Sequence, residues 1–443
     1  MEGFLKRPGR ALFVFSGVSV LVLAASLPGF AATTIDLVWD SDPAPNVVGY
    51  NLYYGAASRH YTNLIPAGPA NSVTISGLSQ GSTYYFAVTA HDALGLESVP
   101  SVEVSYAVPR PPAGTYTGLF IQDTGAGQST AGYFVISVTA LGAYSGQILI
   151  GSERYSISGQ LNSQGQAIQI IPRPGERPLA IVFTVGTDQQ AGEIVGQVTD
   201  GTWISNLTAD RAAFNTRTNA APFAGNYTLI LQNQENDPTV PDGIGYGILR
   251  VNSSGRGLFA AALADGTKMS SSATVSKDGM WPLFAPLYAR QGLVISRIAI
   301  ANQPDSDLSG ALDWIKPPNP KARFYPGGFT NRCQAIGSLY VRPPNMTTSV
   351  LKLTNAEVMF SGGNLSADFT NSVRFLLFSF VENLSPNKLA MSFALSSGTF
   401  KGHVTDPGTG RSMSFGGVAM QKLGAGYGFL LGTNKSSQVV IGP

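Results

Sequence analysis

Tyr133-Phe134-Val135-Ile136-Ser137-Val138 is followed by Gly146-Gln147-Ile148-Leu149-Ile150 and Tyr155-Ser156-Ile157-Ser158. Each run is rich in β-branched and aromatic residues, and short turn segments separate them. Three such runs in sequence read as an antiparallel meander. No stretch of the chain carries a sustained helical period, so the meander decides the class: all-β. Asp-Gly pairs at Asp200, Asp242, Asp265 and Asp278 suit tight hairpins, because glycine accepts positive φ cheaply.

Working outward, the opening Gly114-Thr115-Tyr116-Thr117 recurs as Gly225-Asn226-Tyr227-Thr228 and as Gly337-Ser338-Leu339-Tyr340. The interval of about 110 residues is too long for solenoid repeats. Inside the first two units, Gly132-Tyr133, Val138 and Gly142 match Gly245-Tyr246, Val251 and Gly255. Later strands with a glycine also recur, around Gly196, Gly310 and Gly402. These matches divide the chain into units at 114–224, 225–336 and 337–443, each long enough to close a barrel or sandwich core. The interior of the third unit departs most, with Val373-Arg374-Phe375-Leu376-Leu377-Phe378-Ser379-Phe380 more apolar than its counterparts.

Composition agrees. Of 443 residues only 12% are charged, 44% are hydrophobic, and there are 51 Gly and 28 Pro. That excludes a disordered chain, which is apolar-poor and charge-rich, and a coiled coil, which needs charged heptads. Lys6, Arg7 and Arg10 precede an apolar run from Ala11 to Leu27, and Pro28 to Ala31 supply a cleavage site. Residues 1–31 therefore read as a secretory signal peptide, with no membrane span left after its removal. The exported chain is close to neutral, which gives no electrostatic footprint for nucleic acid.

Between the signal and the Pro-rich linker 109–113 lies a shorter β unit, 32–108. Trp39 ends one strand, Tyr50 begins another, and Leu78 precedes Tyr84 by six residues at the start of the long strand Thr83–Ala90. With Gly95-Leu96-Glu97-Ser98 and Val102-Glu103-Val104-Ser105, this set resembles a fibronectin type III domain. The resemblance implies a small β-sandwich in which Trp39 anchors the core and Leu78 with Tyr84 forms a corner. It implies fold and no function. The rest resembles the uncharacterised C-terminal repeat region of secreted bacterial proteins that carry one such domain. The expected architecture is thus a fibronectin type III-like sandwich followed by two or three antiparallel β barrels or sandwiches.

Chemistry is sparse. His60, His91 and His403 have no nearby Cys or His partner for a metal, and no cofactor motif stands out. Gly77-Leu78-Ser79-Gln80-Gly81 has the spacing of a nucleophile elbow, but it joins two strands rather than a strand and a helix. Asp242-Gly243-Ile244-Gly245-Tyr246-Gly247 leads into a strand and lacks a helix N-terminus for phosphate. Asp305-Ser306-Asp307 reads as a solvated turn. Cys333, the lone cysteine, reads as a small semi-buried hydrophobe in a connection. No catalytic, cofactor-binding or metal residue is assigned. The remaining signal is aromatic: Trp203, Trp281 and Trp314 are the candidates for stacking on sugar rings, with core packing as the competing role. Two functions compete. One is a secreted or cell-surface, non-catalytic binding protein whose partner is an extracellular protein or polysaccharide. The other is a carbohydrate-active enzyme or its accessory module.

Overall fold

The computed structural model describes residues 35–443 apart from 80, 188–191, 235–236 and 346. The signal-peptide reading of 1–31 falls outside the described residues.

The first unit is a small sandwich. Strand β1 (Ile35–Val38) pairs with β4 (Ser72–Ile75), and β2 (Gly49–Gly55), β3 (Asn63–Gly68), β5 (Thr83–His91) and β6 (Val104–Ala107) form a four-stranded sheet in the order β3-β2-β5-β6. Alternation sends Ile35, Leu37 and Ile75 from one sheet and Leu52, Phe86 and Val88 from the other into one core. Trp39 is buried there, edge-on to Tyr50 at 5.8 Å. The Tyr84 hydroxyl accepts a hydrogen bond from the Ser79 backbone N–H at 3.3 Å, which pins the start of β5.

Three eight-stranded antiparallel sheets follow. The first holds β7 (Gly114–Ile121), β8 (Gly132–Val138), β9 (Ala143–Ile150), β10 (Glu153–Gln160), β11 (Gln166–Ile171), β12 (Leu179–Val185), β13 (Glu193–Thr199) and β14 (Ile204–Arg211). The second holds β15 (Gly225–Asn233), β16 (Gly245–Val251), β17 (Arg256–Ala262), β18 (Lys268–Thr274), β19 (Met280–Leu287), β20 (Gly292–Ile300), β21 (Leu308–Lys316) and β22 (Phe329–Leu339). The third holds β23 (Asn355–Ser361), β24 (Phe369–Phe375), β25 (Val381–Asn383), β26 (Leu389–Ala394), β27 (Thr399–Thr405), β28 (Ser412–Met420), β29 (Ala425–Leu431) and β30 (Ser436–Gly442).

In each sheet the first strand pairs with the last, so the meander curls into a barrel. One seam per barrel has no ladder: β10/β11, β18/β19 and β25/β26. Side chains bridge two of these seams. Trp281 Nε1 donates to the Ala273 carbonyl at 3.3 Å and Ser271 Oγ to the Phe284 carbonyl at 2.8 Å. In the third barrel Asn371 and Asn387 exchange amide hydrogen bonds of 2.7 and 3.0 Å. The interiors are filled with side chains, including Phe120, Phe134 and Phe183 in the first barrel and Phe360 and Phe415 in the third. An interior filled with apolar side chains is the reverse of the polar lumen of a membrane barrel.

Two of the three glycine openings fall at equivalent strand starts, and the third falls elsewhere. Gly114 and Gly225 start β7 and β15 and face Val138 and Val251. The tyrosines that follow act alike: Tyr116 donates to the Pro112 carbonyl at 2.5 Å and Tyr227 to the Phe223 carbonyl at 2.8 Å. Gly337 instead lies near the end of β22, paired with Leu229, and Tyr340 donates to the distant Leu395 carbonyl. The second barrel therefore runs past 337, and the third begins its first strand at Asn355. Likewise Gly196 and Gly310 lie on the seventh strand of their barrels, whereas Gly402 lies on the fifth of its own. A steric need explains the false matches. A Cβ at Gly337 would come within 2.5 Å of Leu308 Cδ1, and one at Gly402 within 2.4 Å of Phe415 Cζ. Glycine recurs where a bulky neighbour crosses the strand, whatever the strand's place in the barrel.

The barrels are joined head to tail by one design. Leu119, Ala131 and Tyr133 of the first pack on Phe284, Leu293 and Ile295 of the second. Their counterparts in the second, Ile230, Ile244 and Tyr246, pack on Val418, Met420 and Tyr427 of the third. Tyr133 stacks on Phe284 at 6.0 Å, and Tyr246 lies tilted against Phe429 at 5.5 Å. The recurring Gly-Tyr pair is thus the inter-barrel joint. Thr228 Oγ1 adds a hydrogen bond to the Ala419 carbonyl at 2.7 Å, and Arg297 pairs with Asp210 at 3.2 Å.

Asp200 and Asp406 close the turns after β13 and β27. Asp406 is buried and accepts from the Gly408 N–H, Ser366 Oγ and Thr409 Oγ1. Burial pushes its carboxyl up, but these hydrogen bonds outweigh burial and hold it below the ordinary range. A depressed folded value stabilises the fold above the unfolded carboxyl range near 3.9, and that stability is lost as pH falls through the folded value. Asp406→Asn is expected to lower stability at neutral pH and to flatten the acid limb of the stability curve. Denaturant titrations at several pH values check this, and an unchanged acid limb would contradict it.

Candidate functional site

Two of the three candidate tryptophans lie in the core of the second barrel. Trp281 is fully buried, edge-on to Phe259 at 5.6 Å. Trp314 is 3% exposed, set against Phe329 at 4.7 Å with its Nε1 donating to the Tyr288 hydroxyl at 3.0 Å. Trp203 is half-buried against the first barrel's core. Trp203 precedes β14, whereas Trp314 lies within β21. Inward-facing positions of a closed barrel demand large apolar volume, and that demand placed Trp281 and Trp314.

Trp314 belongs to a buried polar group that sequence reading missed. Lys316 Nζ pairs with Asp265 Oδ2 at 2.6 Å, and the two side chains are 7% and 0% exposed. The Tyr288 hydroxyl donates to the same oxygen at 2.7 Å, and Lys316 Nζ lies 4.5 Å from the centre of its ring. Burial, then the Asp265 charge, pushes the Tyr288 hydroxyl far above the usual phenol range, so it stays a neutral donor. Buried and mutually satisfied, these groups clamp one end of the second barrel and offer no proton to solvent. The partners are 51 residues apart, with no motif to link them.

Cys333 sits within β22 rather than in a connection, and it is buried beside Asn331 and Asn233. Burial, then the Asp313 charge, pushes its thiol up to about 12, which leaves it inert as a nucleophile. Ser79 uses its backbone N–H in the Tyr84 corner. His403 is exposed on β27. Among the described residues, no three His, Cys, Asp or Glu side chains come together as a metal site, and no helix is long and apolar enough to cross a membrane.

Where the second barrel meets the third, the connection after β22 walls a cleft of about 880 Å³. Its lining mixes apolar residues, among them Phe223, Leu339, Val341 and Pro343, with the polar Asn302, Asp307, Ser349, Gln421 and Lys422. The cleft is held in shape by hydrogen bonds. Gln421 Nε2 donates to the Val341 and Val350 carbonyls at 3.0 and 3.1 Å, and its Oε1 accepts from the Val341 N–H at 2.8 Å. Asp307 is no loose turn residue: Oδ1 pairs with Lys422 Nζ at 2.7 Å and Oδ2 accepts from the Leu339 N–H at 2.8 Å. Lys422 Nζ also donates to Asn302 Oδ1 at 2.6 Å. An aspartate so engaged is an anchor rather than a general base. Arg342 and Lys352 add positive charge to the lining. A second cavity of about 220 Å³, with Asp237, Asp313 and Arg332, lies between the first two barrels.

No protein-family model matches the chain. A short stretch is similar to chitinase A1 of Niallia circulans. The two are 36% identical over 98 residues, which is 20% of this chain. The stretch spans 13% of that relative's length, so the match is one of module size and does not extend to the whole enzyme.

Proposed function

We propose that the protein is an exported, non-catalytic binding protein that holds a polysaccharide chain in the cleft between its second and third barrels. The observation that carries this reading is the mixed apolar and polar lining of the cleft. A sugar ring has apolar faces and a rim of hydroxyls, and it suits a lining that combines apolar surface with hydrogen-bonding groups. Phe223, Leu339 and Val341 supply the apolar surface, while Asn302 and Ser349 supply polar partners. The cleft is pre-shaped by Gln421 and Asp307, which lowers the cost of ordering on binding. The similarity to a chitinase favours β-linked amino-sugar polymers as the first ligand to test. We further read the N-terminal sandwich as a fibronectin type III domain, supported by buried Trp39 and the Tyr84 hydroxyl bonded back to Ser79. In this reading it is a spacer.

The test is retention of the exported chain on insoluble chitin and on other polysaccharides. Retention without release of soluble sugar is expected, and Phe223→Ala or Asn302→Ala should weaken it about tenfold, near 1.4 kcal/mol. Retention on no polysaccharide, or retention unaffected by both substitutions, rejects the site. Release of sugar rejects the non-catalytic reading.

A further inference from the structure

The buried polar group at one end of the second barrel holds more than an ion pair requires. Asp265 lies in the turn between β17 and β18, and Lys316 ends β21. Neutral donors address both oxygens of the Asp265 carboxyl. Oδ1 accepts from the Thr267 backbone N–H at 2.9 Å. Oδ2 accepts from the Tyr288 hydroxyl at 2.7 Å and touches Lys316 Nζ at 2.6 Å. The Tyr288 oxygen in turn accepts from Trp314 Nε1 at 3.0 Å.

Each contact matches a need of acyl transfer. A backbone N–H on the oxygen that stays behind stabilises a tetrahedral oxyanion. A hydroxyl on the oxygen that departs can supply its proton. A lysine amine held in contact with a carboxyl is a nucleophile at high effective concentration. The site is also dry, with both side chains buried, so water does not compete for the product. Condensation removes two charges from an interior where each carries a desolvation cost. Lys422 and Asp307 supply the contrast. Their contact is as short, 2.7 Å, but the side chains are 22% and 16% exposed. Among the described residues no hydroxyl donates to Asp307.

We propose that Lys316 and Asp265 condense after folding into an isopeptide bond, with Tyr288 as the catalytic proton shuttle. Lys316 Nζ first hands one proton to Oδ2 along their hydrogen bond, which leaves an amine and a carboxylic acid. The amine then bonds to Asp265 Cγ, and the negative charge that develops on Oδ1 meets the Thr267 N–H. A second proton passes from the nitrogen to Oδ2 through the Tyr288 hydroxyl, which gives up its own proton as it takes one. The Cγ–Oδ2 bond breaks, Oδ2 leaves as water, and the amide nitrogen keeps one hydrogen. Burial and the Asp265 charge keep the phenol neutral, so the exchange at Tyr288 is concerted. No oxidant or cofactor is consumed. The new bond ties the β17–β18 turn to the end of β21, across the β18/β19 seam that no ladder closes.

The test is mass spectrometry of the folded full chain after unfolding and tryptic digestion. The expected result is that the peptides carrying Asp265 and Lys316 appear joined, lighter than their sum by one water, with the peptide carrying Lys422 unattached. Lys316→Met should give separate peptides. So should Tyr288→Phe, which keeps the ring and removes only the hydroxyl, in a chain whose circular dichroism matches the unaltered protein. Separate Asp265 and Lys316 peptides from the unaltered chain overturn the proposal, whatever the variants do. A joined pair that persists in Tyr288→Phe overturns the shuttle. A junction that also forms between Asp307 and Lys422 overturns the argument that a dry site and a hydroxyl select the pair.

Discussion

Trp281→Ala should cost the second barrel about 3–5 kcal/mol, the range for deleting a buried aromatic. Three features place it near the top of that range. The indole is fully buried, its ring meets Phe259, and its Nε1 crosses a seam that no ladder closes. Removing it leaves the Ala273 carbonyl short of a partner in a site closed to water, a further penalty. The surrounding strands have little freedom to collapse into the hole, because Gly257 is already shaped around the ring: a Cβ there would lie 2.7 Å from Nε1. Trp281→Phe should lose much less, since ring volume survives and only the seam hydrogen bond is lost. Denaturant unfolding of the three proteins gives the comparison. Equal losses for the two variants would show that the indole N–H, not the volume, matters.

Trp39→Ala should cost the N-terminal sandwich a similar ~3–5 kcal/mol, and the loss should stay local. The sandwich core is separate from the barrel cores. Unfolding should therefore split into an early transition for 35–108 and a later one at the position seen in the unaltered protein. Limited proteolysis would then release the barrels as an intact fragment. A single shifted transition would mean that sandwich and first barrel unfold as one unit.

The fold was largely legible because its signal is local. Alternation over 133–158 needs only neighbouring residues, and the Gly-Tyr pair at 132–133 and 245–246 marks the same strand twice. The third barrel defeated the same approach, since the glycines at 337 and 402 answer to side chains across the strand and not to position in a unit. The candidate cleft was out of reach for another reason. Its lining runs from Pro222 to Lys422 and converges only when two barrels dock. Tryptophan was a misleading guide, because a large ring fills a barrel as readily as it stacks on a sugar, and spacing alone does not distinguish the two. The Asp265–Lys316 clamp left no trace because each residue is ordinary in its own segment.

Each joint between barrels uses different faces on its two members, so a barrel in the middle of the row carries both halves at once. A gene duplication that inserted one more such unit would find a fitted neighbour on either side without a single new contact having to evolve. Selection could then lengthen this molecule in whole-barrel steps, adjusting how far one end stands from the other while the chemistry at each end is left alone.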